Sequence, residues 1–161
     1  MWTMPSLWNV NARLLLAAAL LPALGCQVGP FELPVATGWH QYRNDRLRVG
    51  FDVPDYFEVR ELDDSATAFR VQGGNAVLLR WADKAEQERR GLWAGNAPLG
   101  ACTLGGRNGQ HFQYRHYDGP IYSVTDAYVV PHMGKDLALE FRTTRPSEVK
   151  RRMLASFHFL Q

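Results

Sequence analysis

The chain has 161 residues, room for one domain, with 46% hydrophobic residues and a formal charge of +2 from 18 Lys and Arg against 16 Asp and Glu. That balance excludes a disordered chain and a multi-span membrane protein. It also excludes nucleic-acid binding through phosphates, which needs a concentrated cationic surface. The basic clusters Arg43/Arg46/Arg48 and Lys150/Arg151/Arg152 are read as solvated faces of a strand and a helix.

The chain begins with a segment in which Arg13 is followed by an uncharged Leu/Ala run, Leu14 to Leu21, and then by Pro22-Ala23-Leu24-Gly25-Cys26. One cation, an apolar run and small residues are the layout of a secretory signal. The run falls short of the ~20 apolar residues that span a bilayer, and it has no polar face with which to sit in a globular core. Translation from Met1 or from Met4 is compatible with this layout. Ala23-Leu24-Gly25-Cys26 resembles the bacterial lipobox. The resemblance implies cleavage before Cys26 and a lipoprotein carrying diacylglycerol, and a further acyl chain such as palmitate, on that cysteine. More than one acyl chain gives durable membrane anchoring. Gln27, where Asp commonly signals inner-membrane retention, points to the outer membrane of a Gram-negative host.

An ordinary secretory cleavage at the same site remains open, because Ala23-Leu24-Gly25 satisfies the small-x-small rule. It leaves Cys26 free to pair with Cys102, the only other cysteine. With Cys26 acylated, Cys102 is a lone thiol best placed in a buried position. The expected organisation is a signal peptide over 1–25, a flexible Pro/Gly-rich tether over 26–38 and a single domain over 39–161.

Within the domain, Leu47 to Val53 alternates apolar and polar residues as a half-buried strand, broken by Pro54-Asp55 and resumed from Phe57 to Leu62. After the turn Asp63-Asp64, strands are expected at Ala66–Val71 and Ala76–Trp81, flanking the turn Gly73-Gly74-Asn75. Asp83 to Glu86 has the spacing of a capping box and predicts a peripheral helix to about Arg90, stopped by Gly91. Residues 94–100 read as a loop. Gln110 to Tyr117 and Ile121 to Val130 form a long hairpin, and a second turn at Pro131 to Asp136 leads to a third strand, Leu137 to Arg142. Pro146 opens a final helix, on which Val149, Met153 and Phe157 share one face for packing on the sheet.

The chemistry-bearing patterns are few. Gly95 to Gly100 has the glycine spacing of a phosphate loop, but Ala101-Cys102 stands where Lys-Ser/Thr is required. Gly105-Gly106-Arg107-Asn108-Gly109 reads as a turn between strands. His111 and His116 are five apart and fall on opposite faces of a strand, while His40, His132 and His158 are candidates to meet in space. Ala101-Cys102-Thr103-Leu104 matches no catalytic cysteine pattern, and no Gly-x-Ser-x-Gly elbow is present. No catalytic residue, metal ligand or cofactor is assigned. Trp39, Tyr42, Trp93 and Arg107 are the candidate partner-binding surface, since exposed Trp, Tyr and Arg mark protein interfaces.

The order of elements, with Phe51-x-Val53-Pro54-x-x-Phe57 opening it and Met153-Leu154-Ala155-Ser156-Phe157-His158-Phe159 closing it, resembles the PsbP-like superfamily, whose bacterial relatives include DcrB-like envelope lipoproteins. The resemblance implies an α+β fold, a twisted antiparallel β-sheet with helices packed on its faces, and docking or assembly support in place of catalysis. The expected protein is thus non-catalytic, anchored through Cys26 in the cell envelope facing the periplasm, and bound to another envelope protein. The alternative is a soluble periplasmic domain that binds a small molecule or a metal.

Overall fold

The computed structural model describes residues 32–82, 98–118 and 121–161. The leader, Cys26, the first part of the tether, the helix expected from Asp83 and Trp93 lie outside the described residues. The described elements run β1 (Trp39–Asn44), β2 (Val49–Pro54), β3 (Glu58–Asp63), β4 (Ala66–Val71), β5 (Gly74–Ala82), β6 (Gly100–Leu104), β7 (Arg107–Asp118), β8 (Ile121–His132), β9 (Lys135–Phe141), α1 (Glu148–Ser156) and β10 (His158–Phe159).

These strands make two antiparallel sheets, one of three strands in the order β1-β2-β10 and one of seven in the order β3-β4-β5-β9-β8-β7-β6. The expected α+β arrangement, with helices on the faces of the sheet, is therefore corrected to a mostly β fold with one nine-residue helix among the described residues. The reason lies in the period-2 pattern of β2. Val49, Phe51 and Val53 all point inward and are fully buried, so a second sheet supplies much of the cover that helices were expected to supply. The large sheet is assembled from local hairpins. Gln72-Gly73, Gly105-Gly106 and Met133-Gly134 each place two residues at positive φ, the geometry of the tight turns that match strand twist.

One core joins the two sheets and the helix. The Phe51 ring lies 5.3 Å from Tyr42, 5.4 Å from Phe69 of β4 and 5.4 Å from Phe157, which stacks on it at 18°. Leu79, Leu137, Leu139 and Phe141 form the matching floor on β5 and β9, and Val149 and Met153 descend from α1. The helix begins at Glu148, two residues later than Pro146 suggests, because the Ser147 Oγ accepts the Lys150 amide at 3.1 Å as an N-cap. The residues just before β1 are laid on the domain. Leu33 joins the core, the Tyr56 hydroxyl donates to the Pro34 carbonyl at 2.8 Å, and the Asp55 amide donates to the Gly38 carbonyl at 3.1 Å.

Because Phe51 touches β1, β4 and the end of α1 at once, Phe51→Ala is expected to cost about 3–5 kcal/mol, read as a lower urea midpoint at unchanged m-value.

Candidate functional site

Residues of the sequence-expected surface are dispersed. Trp39 and Tyr42 are three apart on β1 and so face opposite sides. Tyr42 turns inward, with its ring 4.9 Å from Phe69 and its hydroxyl accepting from Asn44 Nδ2 at 2.9 Å. Burial pushes that hydroxyl's pKa up. Trp39 stays half-buried beneath the Arg152 guanidinium, 4.3 Å from the ring centroid, and Arg152 Nε donates to Asp52 Oδ2 at 3.0 Å. Arg107 lies elsewhere, donating to the Pro131 carbonyl at 3.0 Å and stacking 3.9 Å over Phe159. Trp39 pairs with Pro54 and Phe159 with Val49, at opposite ends of β2, roughly 16 Å apart at strand rise.

His40, His132 and His158 do not converge either. His40 Nδ1 lies 2.9 Å from Asp55 Oδ1, and His158 Nδ1 donates to the Ser156 carbonyl at 2.9 Å. His132 is buried between Phe159 and Trp81, with ring centroids at 4.5 and 5.7 Å. Its partners fix its tautomer. The Leu47 carbonyl, 2.8 Å from Nε2, can only accept, so Nε2 carries the proton and Nδ1 accepts from Arg107 Nη1 at 2.8 Å. Burial first, then the charges of Arg107 and Arg48, lower its pKa, against the pull of the Leu47 bond. Among the described residues, no group of three His, Cys, Asp or Glu is placed to hold a metal ion. Cys102 is half-buried, and burial raises its thiol pKa.

Sequence reasoning missed the most unusual charges. Lys150, expected in a solvated basic cluster, is buried and ion-paired with Asp126 of β8, their side chains retaining 8% and 5% exposure. Asp126 Oδ1 also accepts from Gln113 Nε2 at 3.0 Å and lies 3.5 Å from His111 Nε2. Lys150 Nζ stands 5.6 Å over the Tyr128 ring, which stacks on His111 at 4.6 Å and 7°. Burial, then the charges of Asp126 and Cys102, push the Tyr128 hydroxyl up to about 12. The signal in the sequence was a single carboxylate, Asp126, within an otherwise uncharged strand from Ile121 to Val130.

This pair floors a groove of about 740 Å³ along α1. Ser147, Lys150, Arg151, Leu154 and Ala155 line it at i, i+3, i+4, i+7 and i+8, with Thr103 and Tyr128 on the sheet side. One full stripe of the helix thus faces the groove, beside the stripe that enters the core.

Because removing one member strands the other charge away from water, Lys150→Met or Asp126→Asn is expected to cost about 3–5 kcal/mol. Replacing both with apolar residues should cost less than either alone, read by chemical denaturation. His132 makes a pH prediction. Its folded pKa lies below the unfolded value of about 6.5, so its contribution to stability is whole above that pH. It is lost as the pH falls through the folded value. His132→Gln should flatten the difference in stability between pH 7 and pH 5.

No family model matches the chain, and no curated protein matches it. Solved structures that resemble it include the following two. A protein of Bacteroides thetaiotaomicron superposes with a TM-score of 0.51 at 6% identity over 75% of this chain and 48% of that one, so the chain spans about half its length. The solution structure of cyanobacterial PsbP (CyanoP) from Synechocystis superposes with a TM-score of 0.50 at 16% identity, over 81% of this chain and 99% of that one. At such identities the likeness is one of backbone architecture, and the fold of this chain is PsbP-like.

Proposed function

We propose that this chain is a lipid-anchored protein of the bacterial cell envelope, whose PsbP-like domain serves binding or assembly support without catalysis. The observation that carries the reading is the surface of β1. This strand is the outer member of the three-stranded sheet and holds Trp39 half-buried under Arg152. A strand edge with no partner among the described residues, beside a stacked Trp–Arg pair, combines main-chain pairing with side chains that dominate protein interfaces. The anchor is supported by Ala23-Leu24-Gly25-Cys26, and a periplasm-facing position, on the outer membrane of a Gram-negative host, by Gln27. The fold likeness to cyanobacterial PsbP agrees with this reading.

Two measurements test it. The intact mass of the protein from its host's membranes should match residues 26–161 plus a diacylglycerol, with or without a third chain. A bare mass lacking two hydrogens, from a Cys26–Cys102 bond, would show a soluble secreted domain instead. In the same membranes, a photo-crosslinker at Gln41 should give one discrete protein adduct, reduced at least several-fold by Trp39→Ala or Arg152→Ala. An adduct unchanged by both variants would remove β1 as the interface.

A further inference from the structure

The groove along α1 opens beside the point where the tether joins the domain. Glu32 pairs with Arg145, and Leu33 enters the core. Glu32, Leu33, Thr143, Arg145, Pro146 and Ser147 surround a small cavity of about 170 Å³, and Pro146 and Ser147 also line the groove. Six peptide steps separate Cys26 from Glu32. Fully extended, they reach at most about 21 Å. A chain acylated at Cys26 therefore carries Glu32 within that distance of its lipid, whatever path those residues take, and brings near the membrane the Arg145 that Glu32 pairs with, three residues before α1.

The chemistry of the groove matches what such a surface offers. Leu154, Ala155, Pro146 and Tyr128 give it apolar walls, and Thr103, Thr144 and Ser147 add hydroxyls. Lys150 and Asp126 neutralise each other at the floor. The charges left to the groove are Glu148 and Arg151, both exposed and neither ion-paired among the described residues. At i and i+3 they stand about 5–6 Å apart at Cβ, one anion and one cation on a single helix face.

We infer that this groove holds a zwitterionic phospholipid of the anchoring membrane, with Arg151 on the phosphate and Glu148 on the ammonium of an ethanolamine headgroup. The glycerol and the first acyl carbons lie along Leu154, Ala155 and Tyr128. The inference rests on acylation of Cys26, as proposed above, and it orients the domain with the first turn of α1 towards the bilayer. The β8–β9 turn at Met133 then points away, because β9 runs from Lys135 at that turn to Phe141 near the start of α1.

The test uses the mature chain with Cys26→Ser, titrated with dihexanoyl-phosphatidylethanolamine below its micellar concentration and followed by amide shifts. Saturable shifts are expected at Arg151, Leu154 and Ala155, with weaker binding of the dihexanoyl-phosphatidylglycerol analogue, which has no ammonium for Glu148. Arg151→Gln should weaken binding at least about tenfold, the worth of one charged hydrogen bond, and Leu154→Trp should abolish it by filling the groove. Equal binding of both headgroups, or no effect of Leu154→Trp, would overturn the inference. A second arm places spin labels at Arg145→Cys or Met133→Cys, in a Cys102→Ser background, on the lipidated chain in vesicles containing nickel-chelating lipid. Stronger relaxation is expected at 145 than at 133, and equal or reversed values would also overturn it. The intact mass reports on the anchor alone, so a lipidated chain that fails these arms refutes the groove and leaves the envelope reading standing.

Discussion

Two sheets of unequal width share one apolar interior. At a strand spacing of about 4.8 Å, the seven-stranded sheet is about 29 Å across and the three-stranded sheet only about 10 Å. The narrow sheet meets β4 through the contact of Phe51 with Phe69, and α1 extends the cover to β8 and β9 through Lys150, which stands over Tyr128 and Phe141. Among the described residues the cover ends beyond α1, and the large sheet's breadth towards β6 becomes the floor of a groove. The placement of the groove, the burial of Lys150 and the exposure of the outer stripe of α1 all follow from this mismatch.

The domain spends charged side chains at the joints of this arrangement. Besides Lys150 and Asp126, Arg80 Nε donates to Glu140 Oε1 at 2.8 Å, and the Tyr114 hydroxyl donates to Glu140 Oε2 at 2.7 Å, with Glu140 only 2% exposed. Buried pairs of this kind contribute little net stability compared with well-packed apolar residues. They do penalise every register in which the partners miss each other, since a one-residue slip turns each side chain to the other face. Arg46 does similar work at the surface, reaching from the β1–β2 link to Glu61 and Asp64 near the tip of β3.

Apolar and β-branched runs bounded by turn residues were legible as strands. Ala66–Val71 matched to the residue, and β2, β3, β5, β7, β8 and β9 differed only in their ends, because composition and turn chemistry are local signals; burial was not, since β3 is exposed throughout and β4 is almost wholly buried. β1, β6 and β10 were not legible. Trp39–Asn44 is polar along its exposed side, Gly100–Leu104 opens on Gly and Ala, and His158–Phe159 is two residues long. Each is a strand only because a neighbour pairs with it. The same holds for the sites. Lys150 reads as one more surface cation until the helix is docked and Asp126 is found beneath it. Trp39 and Arg107 look alike in sequence as residue types that mark interfaces, and only the register of β1 and β10 on β2 separates them.

The three-stranded sheet has an unusual history along the chain. Its centre, β2, is made early, yet its partner β10 and the helix that caps it are the last elements. The amide of Asp52 is satisfied by the hydroxyl of Ser156 at 2.9 Å, and Phe51 finds its stacking partner only at Phe157. A nascent chain that has not yet reached Phe157 leaves the inner face of β2 half-covered, so the interior of this sheet closes only after Ser156 and Phe157 have been made.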